Sequence, residues 1–443
     1  MKRSERERLF EEYDRLTLGE HVVNSYKYVS KLLKNLKDIS MDVSMTSEKW
    51  KQYIELQEDT DTLIVENRKG IEMCAAALFD FAARTGTGVC LLVQPVYQEI
   101  QEQLLGVLKG SRAKAEQIVC LDQSIHKSCQ NLNILGRLLP LCFADMDYEV
   151  RYYYDALPGH LNEMSWMPNI ILTDTFVLQF NYEMSRGILT KEENFVNEFR
   201  RQYRDLRKQT SHLLRGSDGL GNSQKLYGNM WESFNVQTLD ESALVEILFH
   251  EPCMGMCMSS DIYEEFLYPK PVKDEFIKAM AASHGDWDGM IHKEQGRNAG
   301  LKSCNYFQMG GLRDFMESGI VHEFPPGFYQ PLPPEVRKTM LQRIFVLIQE
   351  GNIIYRILTE KMEIPGNIYF YLGSSQMFFN LVTESGFKQI WVEEKGICSV
   401  FQQCMDYMEK KGLLLSPEDS LKMLEKFAKE YGIIGSRNLE PSD

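Results

Sequence analysis

The chain has 443 residues, of which 44% are hydrophobic and 25% charged, and a formal net charge of -14. A single core stops growing at roughly 250–300 residues, so this ordinary globular mixture predicts two domains with ample apolar surface to bury. The acidic balance argues against a nucleic-acid backbone as the main partner, which needs clustered Lys and Arg, and no run approaches the ~20 apolar residues of a membrane span.

Residues 1–60 read as helical, with Leu9, Tyr13, Leu16 and then Val22, Val23, Tyr26, Val29 and Leu32 at three- and four-residue spacing. From about 65 to 182 short apolar runs alternate with helical ones. A helix over Ile71–Ala83 precedes a strand at Gly88–Val93, a helix Tyr97–Leu108, a strand Gln117–Leu121, a helix Leu132–Phe143 and a strand Tyr148–Tyr154. After Pro168 two short strands follow across a turn. Alternation of this kind predicts βαβ units with a sheet covered on both faces.

A long connecting helix is expected to start at Thr190, with Glu193 completing a capping box and an apolar stripe running from Phe195 to Leu213 and Leu214. Gly216–Asn222, rich in glycine and polar residues, marks the domain boundary. The second half repeats the alternation. It has a helix Val336–Gln349 after a proline-rich stop, strands at Ile353–Leu358, Ile368–Leu372, Met377–Val382 and Gln389–Val392, a helix 397–410, and a last helix opened by Ser416 and Pro417. The fold class is therefore α/β: two α/β lobes, at 65–215 and 223–443, with an N-terminal helical arm over 1–64 and a long connecting helix.

Ten cysteines sit mostly within apolar runs, as free buried thiols do in a reducing cytosol. The charged start Met-Lys-Arg-Ser-Glu-Arg-Glu-Arg has no apolar signal core behind it, and a cytoplasmic protein is expected. Cys253 and Cys257, just after His250-Glu251-Pro252, resemble half of a thiolate metal site. No second ligand pair stands at zinc spacing, so they read as core, and neither metal nor cofactor is expected. Gly86-Thr-Gly88 precedes its strand, where a phosphate cradle must follow it, and no nucleotide or hydrolase motif occurs elsewhere.

Two constellations remain. Arg200, Arg201, Arg204, Arg207 and Lys208 crowd one stretch of the connecting helix, a candidate basic patch whose plainer reading is a solvated helix face. Phe324-Pro-Pro-Gly-Phe-Tyr329 forms a rigid aromatic turn next to His322 and Glu323. His322, Glu323, Phe324, Phe328 and Tyr329 are the candidate small-ligand site, because ligand sites are mostly apolar with a few polar groups. The aromatics of Tyr152–Tyr154 and Ile368–Leu372 read as strand core.

The order of elements in 70–182, ending in Pro168-Asn-Ile-Ile-Leu-Thr-Asp174, resembles one half of a phospholipase D-type domain, and Ile364–Tyr371 with Gln389–Glu394 echoes it. That resemblance implies a two-lobed scaffold whose His-x-Lys motif attacks and holds phosphate. None of the eight histidines here is followed two positions later by lysine, so the implied scaffold is degenerate and lacks the phosphodiesterase activity. Phe307–Phe315, Ser318-Gly319, Glu323–Pro326 and Pro331–Arg337 are similar to the effector, non-DNA-binding portion of large bacterial helix-turn-helix regulators of unassigned function. Residues 1–60 lack a helix-turn-helix, so DNA is a partner only through a reader outside this pattern.

The reading is a non-enzymatic regulatory or small-ligand-sensing protein, self-associating as a homodimer and keeping clear of membranes. The first alternative is a hydrolase or transferase acting on a nucleotide or phosphorylated substrate through His322, Glu323 and Glu393. The second is a DNA-binding regulator using the basic helix. Thiol titration of the denatured protein without reductant should return all ten cysteines, and fewer would reveal a disulfide or a blocked thiol.

Overall fold

The computed structural model describes residues 3–37, 61–124, 128–155, 167–218, 244–258, 302–349 and 353–433, apart from 360, 374–375 and 384–385, together with 262, 265, 266 and 351. Two compact units divide the chain. The first holds 38–216 with 390–397, and the second holds 1–37, 217–389 and 398–443.

In the first unit β1 (Thr62–Glu66) leads into α3 (Asn67–Thr85), following the arm helices α1 (Arg3–Leu18) and α2 (Glu20–Lys37) of the other unit. Then come β2 (Val89–Leu92), α4 (Gln98–Leu108), β3 (Lys114–Leu121), α5 (Ser128–Phe143) and β4 (Asp147–Tyr154). Strands β2, β3 and β4 run parallel, as helical crossovers require. A meander of β5 (Asn169–Leu172), β6 (Val177–Phe180) and β7 (Arg186–Thr190) folds back antiparallel beside β2, and β1 closes on β7. The order is β1-β7-β6-β5-β2-β3-β4-β8, where β8 is Ser211–Asp218. Every residue of β3 after Lys114 is buried, the mark of a central strand covered on both faces. On one face α6 (Glu193–Arg207) sets Val196 and Tyr203 against Ile118, Leu172 and Val177.

The connecting helix is shorter than its apolar stripe suggests. Thr190 belongs to β7, opposite Thr62, and the cap is Glu192, whose carboxylate accepts from the Asn194 and Phe195 amides. The helix ends at Arg207. Leu213 and Leu214 are both fully buried in β8, and consecutive buried residues suit a strand with two covered faces, not one face of a helix. Residues 219–222 of the expected boundary lie outside the described residues.

The second unit repeats the plan. Strands β9 (Leu244–Leu248), β10 (Lys302–Gln308) and β11 (Ile353–Leu358) are parallel. Then β12 (Ile368–Leu372) returns antiparallel beside β9, followed by β13 (Met377–Thr383) and β14 (Gly386–Val392). The order β14-β13-β12-β9-β10-β11 matches β7-β6-β5-β2-β3-β4 strand for strand. Helices α7 (Met309–Ser318), α8 (Pro334–Gln349) and α10 (Pro417–Glu430) pack a core of Phe307, Phe315, Phe345, Ile357 and Phe427. Cross-strand Tyr371 and Phe378 stack at 4.1 Å, so the aromatic strand serves the sheet. The arm is not an independent layer. Its α2 buries Val22, Val23, Val29, Leu32, Leu33 and Leu36, and Ser25 bonds Gln403 of α9 (Lys395–Lys410) at 2.8 Å. Among the described residues no helix is long and apolar enough to cross a membrane.

At the carboxyl end of β3, Asn131 is buried and clamps Asp122 from both sides, accepting from its amide at 3.0 Å and donating to its carbonyl at 2.9 Å. Asn131→Leu leaves both backbone groups unpaired and should destabilise the protein by about 1–3 kcal/mol in denaturant unfolding. An unchanged midpoint would mean the strand end relaxes into water.

Candidate functional site

The site grows from the end of β9. The chain stays paired with β10 for two residues past the strand: the Phe249 amide donates to Tyr306 O at 3.0 Å, and His250 O accepts from the Gln308 amide at 3.1 Å. It then turns through Glu251-Pro252-Cys253-Met254 into a single 3₁₀ turn, Gly255–Cys257. The first turn of α7 lies directly on this segment. A Cβ at Gly311 would sit 2.1 Å from His250 O and 2.9 Å from the Glu251 amide nitrogen, so only glycine lets the two backbones approach.

The second loop leaves α7 through Gly319, whose φ of 73° ends the helix in the left-handed conformation. Arg337 donates to Met316 O and Glu317 O in the helix's last turn and to Leu332 O beyond it. Tyr329 braces the next residue: its hydroxyl accepts from the Val321 amide at 2.7 Å and donates to Val321 O at 3.0 Å.

Two buried carboxylates then cross between the loops in opposite directions. Glu251, fully buried on the first loop, accepts from the His322 amide at 2.7 Å and from His322 Nδ1 at 2.9 Å. Glu323, buried on the second loop, accepts from the Gly255 amide at 2.5 Å. Each loop thus supplies the acceptor that the other needs. Burial pushes Glu251 above the ordinary carboxylate range, opposed by its bonds to His322. The same contact raises His322, against its own burial. Burial pushes Glu323 up to about 7, opposed by Cys253 and the Gly255 amide.

What reaches the surface is a pair of imidazoles. The His250 and His322 rings lie 6.5 Å apart and nearly perpendicular, both partly exposed. With Nδ1 committed to Glu251, His322 presents its Nε2 edge. His250 points Nε2 towards Asp314 on α7 at 3.5 Å, and its Nδ1 is buried without a partner among the described residues. A protonated His322 can donate to an anion, and the same oriented ring, when neutral, can accept a proton.

Of the residues singled out in the sequence, His322 and Glu323 do meet here. Phe324 and Tyr329 are buried in the core, edge to face at 6.2 Å, and Phe328 packs on that core half-buried, so these aromatics support the loop from beneath. Glu393 lies in the first unit and pairs with Arg215 at 2.9 Å. His250, Glu251 and Asp314 were not named in the sequence as site residues. The contiguous His250-Glu251 before a cysteine-rich turn was the available signal, and it reads as a metal fragment. Burial pushes the Cys257 thiol up to about 12, all ten cysteines are free, and no cluster of three metal-ligating side chains occurs among the described residues.

The basic stretch of α6 is largely neutralised by its neighbours. Arg200 pairs with Asp174 at 2.7 Å, Arg201 with Glu198 at 2.6 Å, Arg207 with Glu116 at 2.6 Å and Lys208 with Asp205 at 2.9 Å, while Arg204 donates to Arg200 O at 3.3 Å. In the stretch from Pro168 to Asp174, Asn169 is buried and donates to Tyr97 Oη at 3.0 Å and Phe180 O at 3.4 Å. Trp166 lies outside the described residues.

No family model and no curated protein matches the chain. Among solved structures it is similar to the phosphatidylserine synthase of Haemophilus influenzae Rd KW20, at 11% identity over 91% of this chain and 98% of that one, with a TM-score of 0.23. It is also similar to TrmBL2, an archaeal chromatin protein, at 12% identity over 46% of this chain and 64% of that one, again with a TM-score of 0.23. At that score neither likeness bears on function. The mixed α/β class stands on the strands and helices themselves.

Gly311→Ala tests the close approach at His250. The added methyl group meets backbone, which cannot rotate away, and should cost about 1–3 kcal/mol in denaturant unfolding. Loss of less than about 0.5 kcal/mol, the range of a neutral surface change, would mean that the first turn of α7 is free to shift.

Proposed function

We propose that the chain is a non-enzymatic regulatory protein that senses a small anionic ligand, with His322 taking the negatively charged group. The observation that carries this reading is the Glu251–His322 pair. A buried carboxylate fixes one imidazole nitrogen, raises the ring's affinity for its proton and leaves the other nitrogen at the surface beside a second imidazole. The site lies at the carboxyl end of parallel strands, where open α/β sheets bind ligands. The regulatory part of the reading rests on the sequence likeness to bacterial effector domains, and the cytoplasmic setting on the free, buried thiols.

One observation favours a second reading, a hydrolase or transferase acting on a nucleotide or phosphorylated substrate. A carboxylate-oriented histidine with a free Nε2 is also the arrangement of a general base. The nearby Cys257 is an unsuitable nucleophile for it, since its thiol is buried and held protonated. The binding reading needs no such partner.

Thermal shift with inorganic phosphate and nucleoside monophosphates should raise the melting temperature in a saturable way, because a ligand that binds only the folded state stabilises by about 2.7 kcal/mol at a hundredfold excess over its Kd. His322→Asn keeps a donor for Glu251 but removes Nε2, and should abolish the shift. Affinity should persist above pH 6.5, because His322 holds its proton more tightly than a free imidazole. It should then fall as the pH rises through the folded value of His322. Glu251→Gln should move that loss to lower pH. Hydrolysis of bis-nitrophenyl phosphate should stay at background, and turnover abolished by His322→Asn would replace this reading with the enzymatic one.

A further inference from the structure

The first unit leaves one strand edge open. β1 pairs with β7 and has no neighbour on its other side among the described residues. The pairing fixes which groups face outward. The Lys191 amide donates to Asp61 O and the Asn67 amide to Ser185 O, each at 2.9 Å. Asp61 and Asn67 thus turn their main chain toward β7, and by the alternation of an antiparallel ladder so do Leu63 and Val65. The amides and carbonyls of Thr62, Ile64 and Glu66 point the other way, to the open edge. The side chains of these three residues share one exposed face, with Ile64 70% exposed. Val65, on the opposite face, is buried beside Gly70 of α3.

The outer strand of the second unit is treated differently. Along β11 the Ile357 amide donates to Ser420 Oγ at 3.0 Å, Ile357 O accepts from the Leu415 amide at 3.0 Å, and just past the strand the Thr359 amide donates to Leu413 O at 2.9 Å. That edge is covered by its own chain. β1 has no such cover, and none of the devices that blunt an exposed edge. Thr-Leu-Ile-Val-Glu contains no lysine and no proline, its register with β7 has no bulge, and it is rich in β-branched residues. An edge of this kind is a template for another strand.

The edge is complementary to itself. Laid antiparallel on a second copy about a two-fold axis at Ile64, β1 sets Ile64 opposite its own counterpart and Thr62 opposite Glu66 in both directions. Every outward amide and carbonyl then meets a partner. Sliding one strand by about two residues, the repeat of the ladder, leaves Thr62 or Glu66 of each copy without one. The side chains agree with the main chain. Ile188 of β7 lies in register with Ile64, so an apolar row runs from Ile188 and Ile64 of one copy into Ile64 and Ile188 of the other, and no like charges stand opposite. A second copy also brings its strand already formed. A disordered peptide would have to order itself for the few bonds that so short an edge offers.

We infer that the open edge of β1 is a self-association surface, through which two copies of this chain join their sheets, antiparallel and in register at Ile64. The contact is a single short strand, so association belongs to the weak class of interfaces. Sedimentation equilibrium of the full chain from about 5 to 200 µM spans the micromolar range of such interfaces and should show a reversible monomer–dimer equilibrium. Ile64→Lys should weaken it at least about tenfold. Its melting temperature should fall by no more than about 2 °C, because the side chain is exposed. The Ile64 amide takes no part in the β1–β7 ladder, so Ile64→Pro removes an outward donor at an edge position that tolerates proline, and should weaken pairing as strongly. Register is read at Thr62. Thr62→Lys and Thr62→Glu both lose the hydroxyl contact with Thr190, so their difference reports the charge opposite, and the lysine variant should pair several-fold more tightly than the glutamate one. A chain still monomeric at about 200 µM overturns the inference, even where an unrelated extended peptide binds the edge. A dimer that tolerates both Ile64 changes overturns it as well. Equal pairing by the two Thr62 variants overturns the register at Ile64, and with it the proposed joining of the sheets.

Discussion

The site depends on two buried carboxylates exchanged between two loops. A carboxylate taken out of water loses several kcal/mol of solvation unless hydrogen bonds replace it. Glu251 finds those bonds at His322 in the second loop, and Glu323 finds them at Gly255 and Cys253 in the first. Neither loop can therefore leave without stranding the other's charge. The exchange sets the rotation of the His322 ring and the nitrogen it presents, and raises the ring's affinity for a proton. The packing beneath is arranged to the same end, with Gly311 admitting α7 against His250 and Tyr329 holding Val321 one residue before His322.

The two units share a strand order, yet among the described residues the paired imidazoles stand only in the second. Two residues past β9 stands His250, and two residues past β2 stands Gln94. The end of β3 holds Asp122, clamped by the Asn131 amide, and Gln117 is taken up by Val93 O and the Tyr148 hydroxyl. Buried amides and the clamped backbone of Asp122 stiffen these strand ends. The first unit thus uses its strand ends for structure, and the second uses the topologically equivalent place for a pair of imidazoles.

Most of the architecture was legible in the sequence, because each strand between helices is a short apolar run bounded by turn residues. Strands Ile353–Leu358 and Ile368–Leu372 fall where the pattern places them. The misreading at 208–218 arose because Leu213 and Leu214 continue a helical spacing by coincidence, and only their simultaneous burial on two faces distinguishes a strand. Of the site, the half made by contiguous His322 and Glu323 was visible. The other half is separated from it by about seventy residues and a βα crossover, and composition carries no trace of which distant loop supplies a hydrogen-bond partner. Aromatic density around Phe324–Tyr329 marked the same loop for a different reason, since those rings pack under it and hold it up.

Net charge and local charge also separate here. Arg200, Arg201, Arg207 and Lys208 form the densest cationic run in the chain, yet carboxylates from α6 itself, β3 and the turn after β5 neutralise them within 3 Å. An anion arriving there must displace a covalently tethered competitor whose local concentration no free ligand matches. At His322 the arrangement is reversed. The carboxylate lies behind the ring, on Nδ1, where it strengthens the positive charge presented at Nε2 instead of covering it. A guanidinium paired on its outer face is inert toward anions, and an imidazolium paired on its inner face is available to them. That difference in where the counter-charge sits, behind the ring at His322 and in front of the side chains on α6, is why the proposed anion site is placed at His322 and not on the basic helix.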